Sequence, residues 1–217
     1  MGSADSDHPL TNRVEPKQVL FFDIDNCLYP KSARVHDLMK DLIDRYFHEH
    51  LSLPWEEAVR LHREYYQSYG LAIEGLVRHH QIDPLEYNAK VDDALPLDGV
   101  IKPRDELKKL LRDIDRSKVK LWLLTNAQVP LVCKPQRGMY EKAMREAGVE
   151  RFEDCYFVDD SYLNCQKAEE IGWNVAHLVE DGVKVPDTPA CKYQIRHLDD
   201  LRTVFPQFFK PESIAAN

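Results

Sequence analysis

Short apolar runs alternate with helical patterns along this chain of 217 residues. Four of the runs lie between polar or turn residues, as buried strands of a parallel sheet do, at 19–22, 119–124, 155–158 and 174–178. Apolar residues at helical spacing lie around the later runs and predict helices over 107–114, 139–147, 163–171 and 198–205. Strands that alternate with helices in this way predict an α/β fold built around a parallel sheet.

A continuous helical block follows the first predicted strand. Apolar residues between positions 35 and 47 repeat at the spacing of one helix face. Further helices are predicted over 55–69, over 71–80, and after Asp83, which is followed by Pro84 and is a candidate N-cap. Because residues 31–97 show no strand pattern, we expect them to form a helical cap inserted after the first strand.

These patterns divide the chain into four parts. The first residues, 1–16, are polar and are predicted to form a disordered leader. A core domain is predicted over 17–30 and 98–210, interrupted by the cap at 31–97. A polar tail is predicted over 211–217.

Polar side chains follow the first three predicted strands directly. They are Asp23 and Asp25, then Thr125 and Asn126 with Lys134 shortly after, then Asp159 and Asp160. The carboxyl ends of parallel strands meet at one edge of the sheet, where ligands bind. Neighbouring carboxylates repel each other unless a proton or a cation lies between them, and Mg²⁺ prefers oxygen ligands and accompanies phosphate. Each motif alone is ordinary loop or capping chemistry, but the combination predicts phosphoryl transfer.

The order of these residues resembles that of the haloacid dehalogenase-like phosphatases, whose motifs are Asp-x-Asp, a Ser or Thr, a Lys and an acidic pair. Segments 21–29, 69–73, 132–135 and 156–161 are similar, more narrowly, to the fungal pyrimidine 5′-nucleotidases. The resemblance runs from about residue 18 to residue 205. It implies a Rossmann-like core with a helical cap, and hydrolysis of a small phosphomonoester such as UMP or CMP.

The resemblance also implies catalytic roles. Asp23 would attack phosphorus to give an aspartyl-phosphate, and Asp25 would protonate the leaving oxygen and later deprotonate water. The Thr125 hydroxyl and the Asn126 backbone N–H would bind a phosphoryl oxygen. Lys134 would balance the charge of the carboxylates and of the transferring group.

Mg²⁺ is the cofactor that the resemblance implies. Its ligands would come from the Asp23 carboxylate and the backbone carbonyl of Asp25. Asp159 and Asp160 would complete the inner or second shell of the ion, with Asp160 as the direct ligand. The ion would neutralise charge on the phosphoryl oxygens and hold the nucleophile near the substrate.

The chain departs from the family pattern between Thr125 and Lys134, which lie nine positions apart. Family members usually place a helix and a further strand there, which takes about thirty residues more. We therefore expect the sheet to lack this edge unit and to keep four core strands. The exposed edge would favour aggregation, and a displacement of Lys134 by 1 Å would lower the rate by about 10²-fold.

Three functions remain open at this point. The first is a pyrimidine 5′-nucleotidase, and the second is a phosphatase for another small phosphomonoester, such as a sugar phosphate or a lysophospholipid. The third is a catalytically impaired variant that binds phosphate ligands or a partner protein, because of the short connection at 127–133. Dehalogenation is not expected, because it does not require the general acid Asp25.

Composition excludes several other classes. The formal net charge of −8 disfavours binding to nucleic acid or to an anionic membrane. No apolar run approaches the roughly 20 residues of a membrane-spanning helix. Five scattered cysteines without a Cys-x-x-Cys motif predict reduced thiols and a cytoplasmic location, with the nucleus as a second compartment. The partner that the resemblance implies is a small phosphorylated substrate such as UMP or CMP.

A cluster of tyrosines in the cap has two interpretations. Tyr65, Tyr66 and Tyr69 could stack on a base beneath the cap. Aromatic residues at helical spacing more often belong to a hydrophobic core, so the sequence favours the second interpretation.

Overall fold

A parallel β-sheet forms the centre of the computed structural model, which describes residues 17–126 and 132–214. Its five strands lie in the order β2-β1-β3-β4-β5, and every neighbouring pair is parallel. The strands are β1 (Gln18–Phe22), β2 (Val119–Leu123), β3 (Cys155–Asp159), β4 (Asn174–Leu178) and β5 (Tyr193–Ile195). The predicted α/β class and parallel sheet are confirmed.

The strand register aligns the carboxyl ends of the central strands. Phe22, the last residue of β1, lies opposite Leu123 of β2 and Val158 of β3. One residue further, Asp159 of β3 lies opposite His177 of β4. The residues that follow β1, β2 and β3 therefore start from the same edge of the sheet.

The sheet differs from the expectation of four strands, because β5 adds a fifth strand beside β4. β5 has only three residues, which is too short to show a strand periodicity in the sequence. The opposite edge of the sheet, formed by β2, agrees with the expected loss of an edge unit. There, β2 pairs only with β1 among the described strands, and its residue Leu123 is 55% exposed.

Four helices between β1 and the rest of the core form the cap: α1 (Val35–His50), α2 (Trp55–Tyr69), α3 (Ala72–His80) and α4 (Pro84–Lys90). The helices predicted there are confirmed. Asp83 caps α4 by accepting a hydrogen bond of 2.9 Å from the Leu85 backbone N–H. The cap has its own hydrophobic core, in which Phe47, Leu76 and Val91 are fully buried.

The remaining helices are α5 (Leu97–Val100), α6 (Asp105–Asp113), α7 (Arg137–Ala147), α8 (Tyr162–Glu170), α9 (Leu201–Val204) and α10 (Pro211–Ile214). A helix predicted over 198–205 is divided into a 3₁₀ turn, Leu198–Asp200, and the short α9. The predicted tail contains α10, whereas the predicted leader lies outside the described residues. Across the part of the chain that the structure describes, no helix has the length and apolar character needed to cross a bilayer.

Two hydrophobic clusters fix the sheet between these helices. Phe21 and Phe157 belong to one cluster, together with residues of α7, while Leu20 and Val158 belong to the other, together with residues of α6. Burial of both sheet faces explains why the strands appear in the sequence as continuous apolar runs. All five cysteines are buried and free, in agreement with the prediction of reduced thiols.

Candidate active site

A cavity of about 480 Å³ lies between the carboxyl edge of the sheet and the cap helices α1, α2 and α4. Core residues that follow β1, β2 and β3 line one side of it, among them Asp23, Asp25, Asn126, Lys134 and Asp160. Side chains of the cap line the other side. The structure therefore brings five of the predicted site residues to a single cavity.

Lys134 lies at the centre of the carboxylate cluster and is only 3% exposed. Its Nζ donates hydrogen bonds to Asp23 Oδ1 at 2.6 Å, to Asp159 Oδ2 at 2.8 Å and to the Leu124 carbonyl at 2.7 Å. Burial alone would lower the pKa of this ammonium, but the two carboxylates outweigh it and raise the pKa. Lys134 therefore stays charged and connects the ends of β1, β2 and β3.

Asn126 fixes the backbone of Lys134 in place. The Lys134 backbone N–H donates to Asn126 Oδ1 at 2.8 Å, and Asn126 Nδ2 donates to the Lys134 carbonyl at 3.0 Å. These two bonds, the Asn126 clamp, join the two ends of the short connection, whose residues 127–131 lie outside the described part of the chain. Despite the short connection, the Lys134 ammonium contacts both carboxylates directly.

Asp159 is completely buried at the end of β3, and its two oxygens are fully engaged. Oδ1 accepts a hydrogen bond of 2.7 Å from the Ser161 backbone N–H, and Asn164 Nδ2 donates to both oxygens at 3.1–3.2 Å. Lys134 takes the remaining position on Oδ2. This arrangement suits a residue that holds Lys134 rather than one that binds a ligand itself.

Asp160, the next residue, faces the cavity instead. Its Oδ2 forms an ion pair of 3.0 Å with Lys31 Nζ, which comes from the segment that leads into the cap. Burial raises the pKa of Asp160, and Lys31 offsets part of that shift. Its other carboxylate oxygen has no hydrogen bond to the described residues, so Asp160 retains a free ligand position.

Asp23 is buried at 6% exposure, and its backbone N–H donates to the Val158 carbonyl at 2.9 Å. Burial and the nearby Asp159 raise the pKa of Asp23 to about 7, against the opposite effect of Lys134. Such a carboxylate lacks enough positive charge nearby. An added cation would therefore stabilise its ionised form.

Oxygen atoms of Asp23, Asp159 and Asp160 lie within 4.8 Å of one another, and this donor set fits Mg²⁺. Because the Asp159 oxygens are already engaged, Asp23 and Asp160 are the better ligands for such an ion. Both have pKa values raised by burial, as expected for carboxylates arranged around a cation.

Asp25 and Thr125 are the two remaining predicted site residues, and they differ in whether they line the cavity. Asp25 lines the cavity and accepts a short hydrogen bond from the Tyr29 hydroxyl. Thr125 follows β2 and is half-buried, but it is not among the residues that line the cavity. Of the two residues predicted after β2, Asn126 lines the cavity and Thr125 lies next to it in the chain.

Three supporting residues were not predicted from the sequence: Tyr29, Lys31 and Asn164. Each contacts an acidic residue of the site, namely Asp25, Asp160 and Asp159 respectively. Tyr29 and Lys31 follow the Asp-x-Asp segment without a periodic pattern, and Asn164 lies inside a helix. Only the short sequence distance from the acidic residues could have indicated them.

Comparison with known proteins shows the family of the chain. The family model described as haloacid dehalogenase-like hydrolase matches residues 17–172. "Phosphate metabolism protein 8" of Saccharomyces cerevisiae is 34% identical over 201 residues, which is 76% of this chain and 63% of that protein. The chain therefore belongs to the haloacid dehalogenase-like hydrolase family.

This relative is longer than the chain, which spans less than two thirds of its length. The alignment is 201 residues long, but this chain contributes only 76% of its 217 residues to it, which is fewer than 201. The relative therefore contains residues within the aligned span that have no counterpart here. An insertion of the size predicted for the absent edge unit would produce such a difference.

Solved structures support the fold. A 2-haloacid dehalogenase from Pseudomonas syringae pv. Tomato DC3000 has a TM-score of 0.57 at 16% identity, and the match covers 88% of this chain and 98% of that one. A hydrolase from Pseudomonas syringae has a TM-score of 0.55 at 16% identity, covering 90% of this chain and 100% of the other. At these identities the likeness concerns the architecture alone.

Proposed function

We propose that this enzyme is a Mg²⁺-dependent phosphatase that hydrolyses pyrimidine nucleoside 5′-monophosphates through an aspartyl-phosphate on Asp23. The main support is the buried Lys134, whose ammonium joins Asp23 to Asp159 beneath the cavity. That arrangement holds the nucleophile, positive charge and a candidate cation site together, which is what phosphoryl transfer requires. The narrower assignment to nucleotides is supported by the sequence resemblance and by the cap side of the cavity.

In the proposed reaction, an Asp23 oxygen attacks phosphorus and the bond to the leaving oxygen breaks. Asp25 gives a proton to that oxygen, and later takes one from the water that hydrolyses the acyl phosphate. Tyr29 donates to Asp25 and so fixes the orientation of its carboxylate. Lys134 offsets the negative charge on Asp23 and the phosphoryl group throughout.

Asp23 and Asp160 would hold the Mg²⁺ ion, with Lys31 as a competing partner of Asp160 when no ion is bound. When bound, the ion supplies positive charge that stabilises the phosphoryl oxygens. The buried Asp159 holds Lys134 and accepts bonds from Asn164, so its contribution is to position the cation of the lysine.

Catalytic impairment by the short connection is the weaker alternative. The short connection at 127–133 motivates this alternative, because Lys134 would reach the site from an altered loop. The distances of 2.6 Å and 2.8 Å are nevertheless those of direct charged hydrogen bonds. The Asn126 clamp supports the same view, because it fixes the Lys134 backbone independently of the residues in between.

A substrate panel tests the proposed function. We expect phosphate release from UMP and CMP to exceed release from a sugar phosphate and from a lysophospholipid, and EDTA to stop it. Release of phosphate is measured by a colorimetric assay at equal substrate concentrations, with added Mg²⁺ to restore the rate. A higher rate on the lysophospholipid, or full activity in EDTA, would contradict the proposal.

Replacing Asn126 with alanine is expected to lower kcat by about 10²-fold, because the Lys134 backbone loses both clamp bonds and its ammonium can shift by 1 Å or more. The measurement is kcat on UMP together with a thermal melt. Asn174→Ala is the matched control, since Asn174 Nδ2 also bonds backbone carbonyls, those of Glu153 and Cys155, far from the cavity. Equal kcat losses in the two variants would show that the clamp does not position Lys134.

A further inference from the structure

A polar cluster on the cap side of the cavity has no role in the proposed reaction. Asp44 of α1 is 1% exposed, and it forms hydrogen bonds of 2.7 Å to His62 Nδ1 on α2 and to Lys40 Nζ. All three residues line the cavity that also contains Asp23. A buried ionised group is costly unless it is paired, and a buried pair is weak evidence for a purely stabilising role.

The contacts of His62 leave one of its ring nitrogens available. An ionised carboxylate only accepts hydrogen bonds, so Nδ1 carries the hydrogen that Asp44 accepts. Nε2, on the other side of the ring, has no hydrogen bond to the described residues, and the His62 side chain keeps 13% of its exposure. Asp44 therefore fixes the ring orientation while Nε2 remains free for a ligand.

A second polar group on the cap wall also lacks a partner. The side-chain oxygen of Asn88, in α4, is buried without a hydrogen bond, and Asn88 lines the same cavity. Buried polar atoms are nearly always paired, so an unpaired acceptor on a cavity wall indicates that a bound molecule can supply the donor.

Apolar side chains line the same cavity as these polar groups. Met39 and Ile43 of α1 and the ring of Tyr66 of α2 line the cavity, whereas Tyr65 belongs to the cap core. A flat molecule with apolar faces and a polar edge matches such a wall, as a nucleobase does. An acyl chain would bury His62 and Asn88 without partners, which is costly.

We propose that His62, oriented by Asp44, binds the base of a nucleoside 5′-monophosphate through Nε2 and thereby determines the preference of the enzyme for nucleotides. This inference rests on the proposed function, since the phosphate must lie at Asp23 for the base to reach the cap. His62 is then a specificity-determining residue and Asp44 a positioning residue.

Binding measurements on the Asp23→Asn protein test the inference separately from catalysis. UMP and ribose 5-phosphate carry the same phosphate, and only UMP carries a base. Isothermal calorimetry should show tighter binding of UMP, and adding His62→Ala should weaken UMP binding about tenfold while ribose 5-phosphate is unaffected. His62→Gln, which keeps a polar side chain, should give an intermediate affinity and serves if the alanine variant does not fold.

His79→Ala is the matched control. His79 is an exposed cap histidine that bonds the Tyr69 hydroxyl at 2.7 Å and does not line the cavity. We expect this variant to bind both ligands normally. Asp44→Asn should reduce UMP affinity in the same direction as His62→Ala and leave ribose 5-phosphate affinity unchanged.

The outcomes separate the inference from the proposed function. Equal weakening of both ligands by the His62 variants, or no preference for UMP before mutation, overturns the inference. Hydrolysis of UMP with an unchanged binding preference in the His62 variants leaves the proposed function standing and refutes the role of His62. Loss of the UMP preference in a chain that hydrolyses no nucleotide supports the role of His62 and refutes the proposed function.

Discussion

Lys134→Met is expected to destabilise the protein by about 3–5 kcal/mol, because removal of one member of a buried ionic group leaves the others unpaired. Asp23 and Asp159 would both lose their 2.6–2.8 Å bonds to the ammonium. The loss should be larger at pH 8 than at pH 5, since protonation at low pH removes the repulsion between the two carboxylates. Urea denaturation at both pH values measures it.

Two further variants give this prediction its controls. Lys142→Met removes an exposed lysine of α7 whose ion pair with Glu146 spans 3.8 Å, and it should change stability by less than about 0.5 kcal/mol. Adding Asp159→Asn to Lys134→Met should recover part of the lost stability, because one unpaired charge disappears. If Lys134→Met unfolds at the same urea concentration as Lys142→Met, the buried ionic group of Asp23, Lys134 and Asp159 does not stabilise the fold.

Asp23→Asn is expected to lower phosphate release by at least about 10⁴-fold, since the loss of a nucleophile removes the reaction path and not one contact alone. Asparagine keeps the shape of the side chain and can still accept the hydrogen bond from Lys134. Phosphate release from UMP, measured with excess Mg²⁺, should show neither an initial burst nor a steady-state rate close to that of the wild type. A variant that retains its full rate would refute the covalent mechanism.

The Asp23→Asn substitution, which should lower phosphate release, should increase the stability of the protein at high pH. The pKa of Asp23 is raised to about 7 in the folded state, mainly by burial, so the folded protein holds a proton that the unfolded chain releases near its ordinary pKa of 3.8. The wild type therefore loses stability as the pH rises from about 4 to about 7. In EDTA, Asp23→Asn should melt higher than the wild type at pH 8 and close to it at pH 5.

Much of the architecture followed from the sequence because its signals are local and periodic. Continuous apolar runs fixed the four longer strands, and the residues after them had to meet at one sheet edge. This is why Asp23 and Asp159 could be assigned to one site. By contrast, β5 is too short for a periodicity, and α9 is only one turn long.

The position of Lys134 was the least predictable part of the site. The short connection suggested displacement, because the distance along the chain was all that the sequence offered. What holds the lysine are side-chain bonds from Asn126 and carboxylates on other strands, and such bonds leave no pattern in a sequence. Tyr29 and Asn164 escaped prediction for the same reason.

The Asn126 clamp has a consequence for how this family can vary. Two hydrogen bonds join the Asn126 side chain to the Lys134 backbone, so the position of Lys134 does not depend on the length of the connection alone. The number of residues between Asn126 and Lys134 can therefore change while the Lys134 ammonium keeps its contact with Asp23. A strand and a helix can thus be gained or lost at the β2 edge of the sheet without moving the residues of the proposed reaction.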